Sequence, residues 1–264
     1  MENKRLFFGF KVVSPWPEEW PSGKLLFETD RHLTIAFLGD ANAGERMEWF
    51  QDFPKMPFQI GLAGVFDRPI FLPYHRPSAA AWHIHWLEGE ACFLQFQQTI
   101  VSWLQSKGLK VRGKDEKFLA HVTIARCPFV INEWKEMFQK RPFYIRDLCL
   151  FESLGSLQYK TCWNYPIIAP FAEKEHMADI AFTVRGTSLQ EIHLHAQLAL
   201  SFHFPPLVRY FSLQEIRSLD ETVTSLNAII SKMDKEIGSP FKAVSYHGQL
   251  EGEEILEWEM IVDV

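Results

Sequence analysis

Two short segments of this chain repeat a histidine and a threonine at the same spacing. His32 is followed two residues later by Thr34, and His121 is followed two residues later by Thr123. Free imidazole has a pKa of about 6.5, so one histidine can act as a base while the other acts as an acid at neutral pH. Threonine hydroxyls can donate hydrogen bonds to phosphoryl oxygens. This set of side chains is therefore suited to opening or closing a phosphodiester without a metal ion.

The two segments are similar over six residues, His-Leu-Thr-Ile-Ala-Phe at 32–37 and His-Val-Thr-Ile-Ala-Arg at 121–126. Their first residues lie 89 positions apart, which indicates a duplicated unit with one copy in each half of a domain. A single copy would be explained well by a half-buried strand that begins with a hydrogen-bonded histidine. Two matched copies weaken that explanation, because chance would have to place the same histidine and threonine twice.

The β-branched and apolar residues of both copies favour strands, in which successive side chains point to opposite faces. One face of each strand would carry the histidine, the threonine and the alanine. The other face would carry the three remaining residues, which are Leu33, Ile35 and Phe37 in one copy and Val122, Ile124 and Arg126 in the other. Two such strands could face each other across a cleft that holds both histidines. Arg126 would reach this cleft only if a local twist turned it there.

The paired His-x-Thr motif resembles the signature of the two-histidine (2H) phosphoesterase superfamily. Around it, residues 4–171 are similar to the RNA 2′,3′-cyclic phosphodiesterase branch, also called 2′-5′ RNA ligase. The supporting segments are Arg5-Leu6-Phe7-Phe8, Phe37-Leu38-Gly39, Ala125-Arg126 and Phe151-Glu152-Ser153. The chain departs from this family at Ala120, where a proline usually precedes the second histidine.

The resemblance implies an α+β fold with a two-lobed, duplicated antiparallel-sheet domain and a central cleft. It implies hydrolysis of RNA 2′,3′-cyclic phosphate ends to a phosphomonoester, which we expect to be the 2′-phosphate, in RNA end processing or repair. The reverse reaction would be a 2′-5′ RNA ligation, and neither direction would need a cofactor. His32 would be the catalytic acid and His121 the catalytic base. The phosphate-binding residues would be Thr34, Thr123 and Arg126.

Composition places the chain among soluble globular proteins, since 47% of its 264 residues are hydrophobic and 23% are charged. No apolar run approaches the roughly 20 residues that span a membrane. The four cysteines, at positions 92, 127, 149 and 162, show no Cys-x-x-Cys pair and no zinc-like spacing. Unpaired thiols fit a reducing compartment. We therefore predict a cytoplasmic protein with no membrane partner.

The charge is unevenly distributed along the chain. Residues 1–173 hold 20 basic and 19 acidic side chains, whereas residues 174–264 hold 7 and 14. A near-neutral part beside an acidic part indicates two domains with different partners. We predict domains at 1–171 and 174–264.

Apolar spacing predicts a helix over 92–106. Shorter helices are expected over 44–53 and 132–139, and proline-rich loops over 14–23 and 69–77.

Strands are expected over 58–65 and 80–86. The second of these would place His83 and His85 on one face. A His-x-His pair can bind zinc, but no third ligand is evident nearby. We interpret both histidines as solvated strand residues.

Five cations precede the second motif: Lys107, Lys110, Arg112, Lys114 and Lys117. Such a run beside a phosphate site could hold an RNA backbone electrostatically. An ordinary solvated basic loop explains it equally well.

The acidic part of the chain contains two capping boxes, Ser188 with Glu191 and Ser218 with Glu221. Each predicts the start of a helix. His193 and His195 lie two positions apart in the first helix, so they do not share a face, and we expect surface or boundary positions for both.

Residues 174–264 resemble archease, a small protein that assists a GTP-dependent RNA-splicing ligase. The matching segments are Glu175-His176-x-Ala178-Asp179, Lys242-Ala243-Val244-Ser245-Tyr246-His247 and Asp263-Val264. The stretch before Lys242 is shorter than in that family.

The archease resemblance implies a divalent-cation site formed by Asp179, Asp263 and the terminal carboxylate of Val264. Oxygen ligands of this kind suit calcium or magnesium. Without the resemblance, these acids would be ordinary loop and terminal charges.

The resemblance to archease also implies a second possible function. The chain would then be a non-catalytic accessory factor for a GTP-dependent RNA-splicing ligase in tRNA splicing, and its first domain would only hold RNA ends.

Overall fold

The computed structural model describes residues 4–41, 50–109, 111, 118–175, 179–245 and 249–264. Its strands are β1 (Lys4–Val13), β2 (Lys24–Leu25), β3 (His32–Ala41), β4 (Ala63–Leu72), β5 (Ala79–Trp86), β6 (His121–Arg126), β7 (Arg141–Gly155), β8 (Gln158–Tyr165), β9 (Phe171–Lys174), β10 (Ile180–Gly186), β11 (Ala243–Ser245) and β12 (Leu256–Asp263). Its α-helices are α1 (Glu90–Ser106), α2 (Ile131–Glu136), α3 (Leu189–His203) and α4 (Leu219–Ile237).

The first sheet is antiparallel and barrel-like. Its strand order is β1-β3-β6-β5-β4-β7-β8, and β1 also pairs with β7, which closes the order into a ring. The core contains Phe8 and Phe10 from β1 together with Phe93 and Phe96 from α1. The predicted combination of helices with antiparallel strands is confirmed, and pairing of β3 with β6 joins the two motif strands in one sheet.

The second sheet is antiparallel, in the order β11-β12-β10-β9, and α3 and α4 pack with it. Both helices begin at the predicted caps, because the Ser188 hydroxyl accepts a hydrogen bond from the Glu191 amide and the Ser218 hydroxyl accepts one from the Glu221 amide. Phe171 already belongs to this sheet and its core. The domain division and the archease-like character stay predictions.

The helix expected over 92–106 is confirmed as α1, and the short one over 132–139 corresponds to α2. The helix expected over 44–53 lies mostly outside the described residues, and residues 50–52 form a turn of 3₁₀ helix. None of the described helices is long and apolar enough to cross a membrane.

The expected strand over 58–65 and loop over 69–77 were wrong in their bounds, since β4 starts at Ala63 and continues through Pro69 to Leu72. Proline interrupts a strand only where its missing N–H is needed by a neighbour. β7 pairs with β4 only from Ala63 to Phe66, so Pro69 has β5 on one side and no ladder partner on the other among the described strands.

His193 and His195 are buried, with 0% and 1% exposure, so the expected surface positions were wrong. The reason is that α3 is covered on several sides, by β10, β12, β7 and α4. His193 forms a hydrogen bond with the Ser225 hydroxyl. His195 forms one with the carboxylate of Glu88, which lies between β5 and α1. Buried polar side chains of this kind are paired within the fold.

Candidate active site

The two His-x-Thr motifs lie side by side on the adjacent strands β3 and β6. Leu33 pairs with Val122, and both side chains are fully buried. Extending this antiparallel register by one residue places His32 opposite Thr123 and, on the other side, Thr34 opposite His121. Because neighbouring residues of a strand point to opposite faces, all four polar side chains lie on the face away from Leu33 and Val122.

Each motif contains a β-bulge at the same position. In β3, Thr34 pairs with Gly9 and Ala36 pairs with Phe8, so Ile35 is the extra residue. In β6, Thr123 and Ala125 pair with successive residues of β5, so Ile124 is the extra residue. A bulge lets two consecutive side chains point to the same side of a strand, which reverses the alternation after it.

The bulges correct the predicted faces of the last two motif residues. Ala36 and Ala125 belong to the hydrophobic core, although simple alternation placed them beside the histidines. Phe37 is 50% exposed, although alternation placed it in the core. Arg126 is turned onto the histidine face by the same displacement. Its charge contributes to lowering the pKa values of both His32 and His121.

Both motif histidines are held in the same way. Nδ1–H of His32 donates to the carbonyl of Asp30 at 2.6 Å, and Nδ1–H of His121 donates to the carbonyl of Leu119 at 2.8 Å. A carbonyl only accepts, so the proton must lie on Nδ1. This leaves Nε2 of each ring to exchange protons with a substrate, as an acceptor when the ring is neutral and as a donor when it is charged.

His32 lies in an aromatic cluster. Its ring centroid is 4.7 Å from that of Phe7, 5.2 Å from that of Phe151 and 4.9 Å from the edge-on ring of Tyr159. The residue is only 9% exposed. Burial is the main cause that lowers the pKa of His32 to about 4, and the charges of neighbouring His121 and Arg126 add to it.

His121 has more polar surroundings than His32. It is half-buried, and its cross-strand partner on β5 is His83. Burial is again the first cause that lowers its pKa, and the charges of Arg126 and His83 act in the same direction. Both motif histidines are therefore biased toward the neutral form, and the bias at His32 comes from its aromatic cluster.

Tyr159 on β8 is a site residue that the motif reasoning missed. The Tyr159 ring packs on His32, and its hydroxyl accepts a hydrogen bond from the Arg126 side chain. The Tyr159 backbone N–H donates to the Asp30 carboxylate. Burial raises the pKa of Tyr159 above its usual value of 10.0, so the phenol stays protonated. No sequence signal marks this residue, because β8 carries no copy of the repeat.

His83 was expected to be a solvated strand residue, but it is half-buried and contacts Asp67. Its Nδ1 lies 2.7 Å from Oδ1 of Asp67, and its side chain is 18% exposed. His85, by contrast, is exposed as expected. Within the described part of the chain, no group of three or more His, Cys, Asp and Glu side chains is placed to hold a metal ion.

The basic run before the second motif is described only in part. Lys107 forms an ion pair with Asp52 at 2.5 Å. Lys110, Arg112, Lys114 and Lys117 lie outside the described residues, so their predicted contact with RNA stays a prediction.

The predicted cation ligands lie at one end of the second sheet. The register of β10 with β12, extended by one residue, places Asp179 opposite Asp263. The Ser245 hydroxyl donates to an Asp263 carboxylate oxygen at 3.3 Å, and the Lys242 ammonium donates to the main-chain oxygen of Val264 at 2.6 Å. An ammonium at the third expected ligand competes with a metal ion. Calcium or magnesium binding by Asp179, Asp263 and Val264 stays a prediction.

No family model matches the chain, and no curated protein matches it significantly. Among solved structures, TT0787 of Thermus thermophilus is 15% identical with a TM-score of 0.44, and the match covers 62% of this chain and 98% of that one. The apo form of E. coli LigT is 16% identical with a TM-score of 0.44, over 64% of this chain and 99% of that one. E. coli LigT complexed with 3′-AMP is 16% identical with a TM-score of 0.43, and the match covers 63% of this chain and 99% of that one. Identities and TM-scores of this size support no conclusion about the chemistry of the site.

Proposed function

We propose that this chain is a phosphoesterase of the two-histidine type that hydrolyses RNA 2′,3′-cyclic phosphate ends to 2′-phosphates. The supporting observation is the matched pair of histidines on adjacent strands. Each donates its Nδ1–H to the carbonyl two residues before it, which leaves Nε2 of both rings for proton transfer.

The phosphate would lie over the open face between the two histidines. Thr34 and Thr123 would donate hydrogen bonds to its non-bridging oxygens. Arg126, which the bulge at Ile124 turns to this face, would supply positive charge and further donors. Preorganised donors of this kind stabilise the negative charge that develops on phosphoryl oxygens in the transition state.

Burial favours an assignment of acid and base opposite to the one expected from sequence. His32 has its pKa lowered to about 4 and is neutral at pH 7, as a base must be. His121 is the more exposed ring, so it is the better acid once a bound phosphate favours its charged form. We assign His32 as base and His121 as acid.

The reaction then follows from the two roles. His32 Nε2 removes a proton from water as the water oxygen attacks phosphorus. The bond from phosphorus to O3′ breaks, and the His121 Nε2 proton passes to O3′, which gives a 2′-phosphomonoester and a free 3′-hydroxyl. If a 5′-hydroxyl of another RNA end replaces water, the same steps give a 2′-5′ linkage.

Turnover of an oligonucleotide with a 2′,3′-cyclic phosphate end, measured in EDTA, tests this function. We expect His32→Ala and His121→Ala each to lower kcat by about 10²- to 10⁴-fold, because each removes one partner of general acid–base catalysis. His75→Ala, at an exposed loop position, is the control and should leave turnover unchanged. Full activity in either motif variant would exclude the proposal.

The archease-type role, in which residues 174–264 assist a GTP-dependent RNA-splicing ligase in tRNA splicing, stays a prediction. So does the cytoplasmic location.

A further inference from the structure

Polar side chains continue from the two motifs across the sheet. His121 on β6 pairs with His83 on β5, and His83 pairs with Arg68 on β4. Directly opposite residues of paired strands share a face, and adjacent strands lie about 4.8 Å apart. Thr34, His121, His83 and Arg68 therefore form one row on the histidine face. The row extends two strands beyond the proposed catalytic centre.

Asp67 organises the far end of this row. It is the extra residue of a bulge, since Phe66 pairs with Ile84 and Arg68 pairs with His83. One carboxylate oxygen lies 2.7 Å from Nδ1 of His83, and the other accepts from Nη1 of Arg68 at 2.7 Å. A carboxylate that bridges an imidazole and a guanidinium fixes both of them relative to His121.

The bridging contacts leave three nitrogen atoms of His83 and Arg68 unused in the described part of the chain. Among the described residues, Nε2 of His83 and the Nε and Nη2 groups of Arg68 form no hydrogen bond within the chain. The Arg68 side chain is 53% exposed, whereas those of His83 and Asp67 are 18% and 23% exposed. With a second proton on its ring, His83 can donate from Nε2, and the three side chains then carry a net positive charge.

We propose that His83 and Arg68, held by Asp67, form a second anion subsite that binds the phosphodiester adjoining the reacting phosphate. The preferred substrate would then be the end of an oligonucleotide, not a mononucleotide. This inference rests on the proposed function. Phosphate contacts commonly fix the register of a nucleic acid on a protein, and here they would place the cyclic end against His32 and His121.

Comparison of three substrates isolates the contribution of the adjoining phosphate to kcat/KM. They are adenosine 2′,3′-cyclic phosphate, a diadenosine with the same cyclic end and one phosphodiester, and that diadenosine with a neutral methylphosphonate linkage. The wild-type protein should prefer the charged dinucleotide over the neutral one by about tenfold in kcat/KM, the size of one charge-assisted hydrogen bond. The mononucleotide should behave like the neutral dinucleotide.

His83→Gln and Arg68→Gln should each remove most of this preference, measured as the ratio of kcat/KM for the charged and the neutral dinucleotide. Arg68→Gln should also leave kcat/KM for the mononucleotide unchanged. His85→Gln is the matched control, because His85 lies two residues further along β5, on the same face and exposed. It should keep the wild-type preference. An equal loss on all three substrates, or no loss on any, would overturn the subsite.

A binding experiment separates this inference from the proposed function. It is a calorimetric titration with two dinucleotides that end in a 2′-phosphate, one with the phosphodiester linkage and one with the methylphosphonate linkage. These ligands need no turnover. Tighter binding of the charged one, lost in His83→Gln, supports the subsite even if no cyclic phosphate is hydrolysed. Turnover of cyclic ends with equal binding of both ligands would uphold the function and refute the subsite.

Discussion

At the level of single residues, the two motif histidines have the same anchors and different surroundings. His32 is enclosed by Phe7, Phe151 and Tyr159, whereas His121 lies beside polar groups. Burial destabilises an imidazolium because its charge loses contact with water. In the proposed reaction, the aromatic cluster therefore makes His32 the more suitable base of the pair.

Tyr159→Ala opens one side of this cluster, and Tyr159→Phe keeps the ring. We expect the pKa of His32 to rise from about 4 toward its usual 6.5 in the alanine variant, because removal of the ring hydrates the imidazolium. The phenylalanine variant should keep the low value. An NMR titration of the His32 ring protons measures both, and identical titration curves for the two variants would show that the ring does not control the pKa.

At the level of elements, the paired bulges decide what the repeated motif presents. The sixth motif residue is Phe37 in the first copy and Arg126 in the second, and both are displaced to the histidine face. Only the second copy therefore adds a cation to the site. The duplicated strands build a nearly symmetric frame, and this one position makes its charge asymmetric.

Arg126→Ala should weaken the binding of inorganic phosphate by about tenfold or more, since a hydrogen bond to a charged group contributes roughly 1.5–3 kcal/mol. Phe37→Ala changes the equivalent position of the other copy and should leave phosphate affinity unaltered. Calorimetric titration of both variants measures the difference. Equal affinities would show that Arg126 does not contact the anion.

At the level of the whole molecule, a partly buried ion pair connects the two sheets. Glu88, just before α1, accepts a hydrogen bond from the Ala63 amide and another from Nε2 of His195 on α3 at 2.8 Å. Nδ1 of His195 donates to the carbonyl of Arg185, so both ring nitrogens act as donors. Burial by itself would lower the pKa of His195, but the Glu88 carboxylate, the hydrogen bond to the Arg185 carbonyl and the charge of Glu191 together raise it above 6.5.

Glu88→Gln should lower the free energy of unfolding by about 3 kcal/mol at pH 6, the lower end of the usual cost of breaking a buried pair, because the Glu88 side chain is 15% exposed. A raised pKa in the folded state means that this stabilisation is complete below pH 6.5 and is lost as the pH rises through the folded value. The same substitution should therefore cost less at pH 9. Urea denaturation at both pH values measures the change.

Glu173→Gln is the control for the ion-pair prediction. Glu173 pairs with His203 at the surface, at 3.1 Å, and exposed pairs of this kind contribute about 0–1 kcal/mol. A cost of Glu88→Gln that is the same at pH 6 and pH 9 would contradict a charged His195.

Much of the local structure was predictable from the sequence because its signals act over a few residues. The apolar spacing of Phe93, Phe96 and Ile100 identified α1, and the serine caps identified the starts of α3 and α4. The repeated spacing of histidine and threonine is visible in the sequence without knowledge of strand pairing. Positions that depend on neighbouring strands were not predictable in this way, as the path of β4 through Pro69 shows.

The sequence by itself determined that two His-x-Thr strands exist and what chemistry their side chains suit. Only the tertiary structure decided that they are adjacent, that bulges turn Arg126 toward them, and that Tyr159 and His83 border them. Periodicity and capping arise from covalent neighbours, whereas register, bulges and burial arise from contacts between residues far apart in the chain. For that reason the matched histidines could be read from the sequence, and their unequal environments could not.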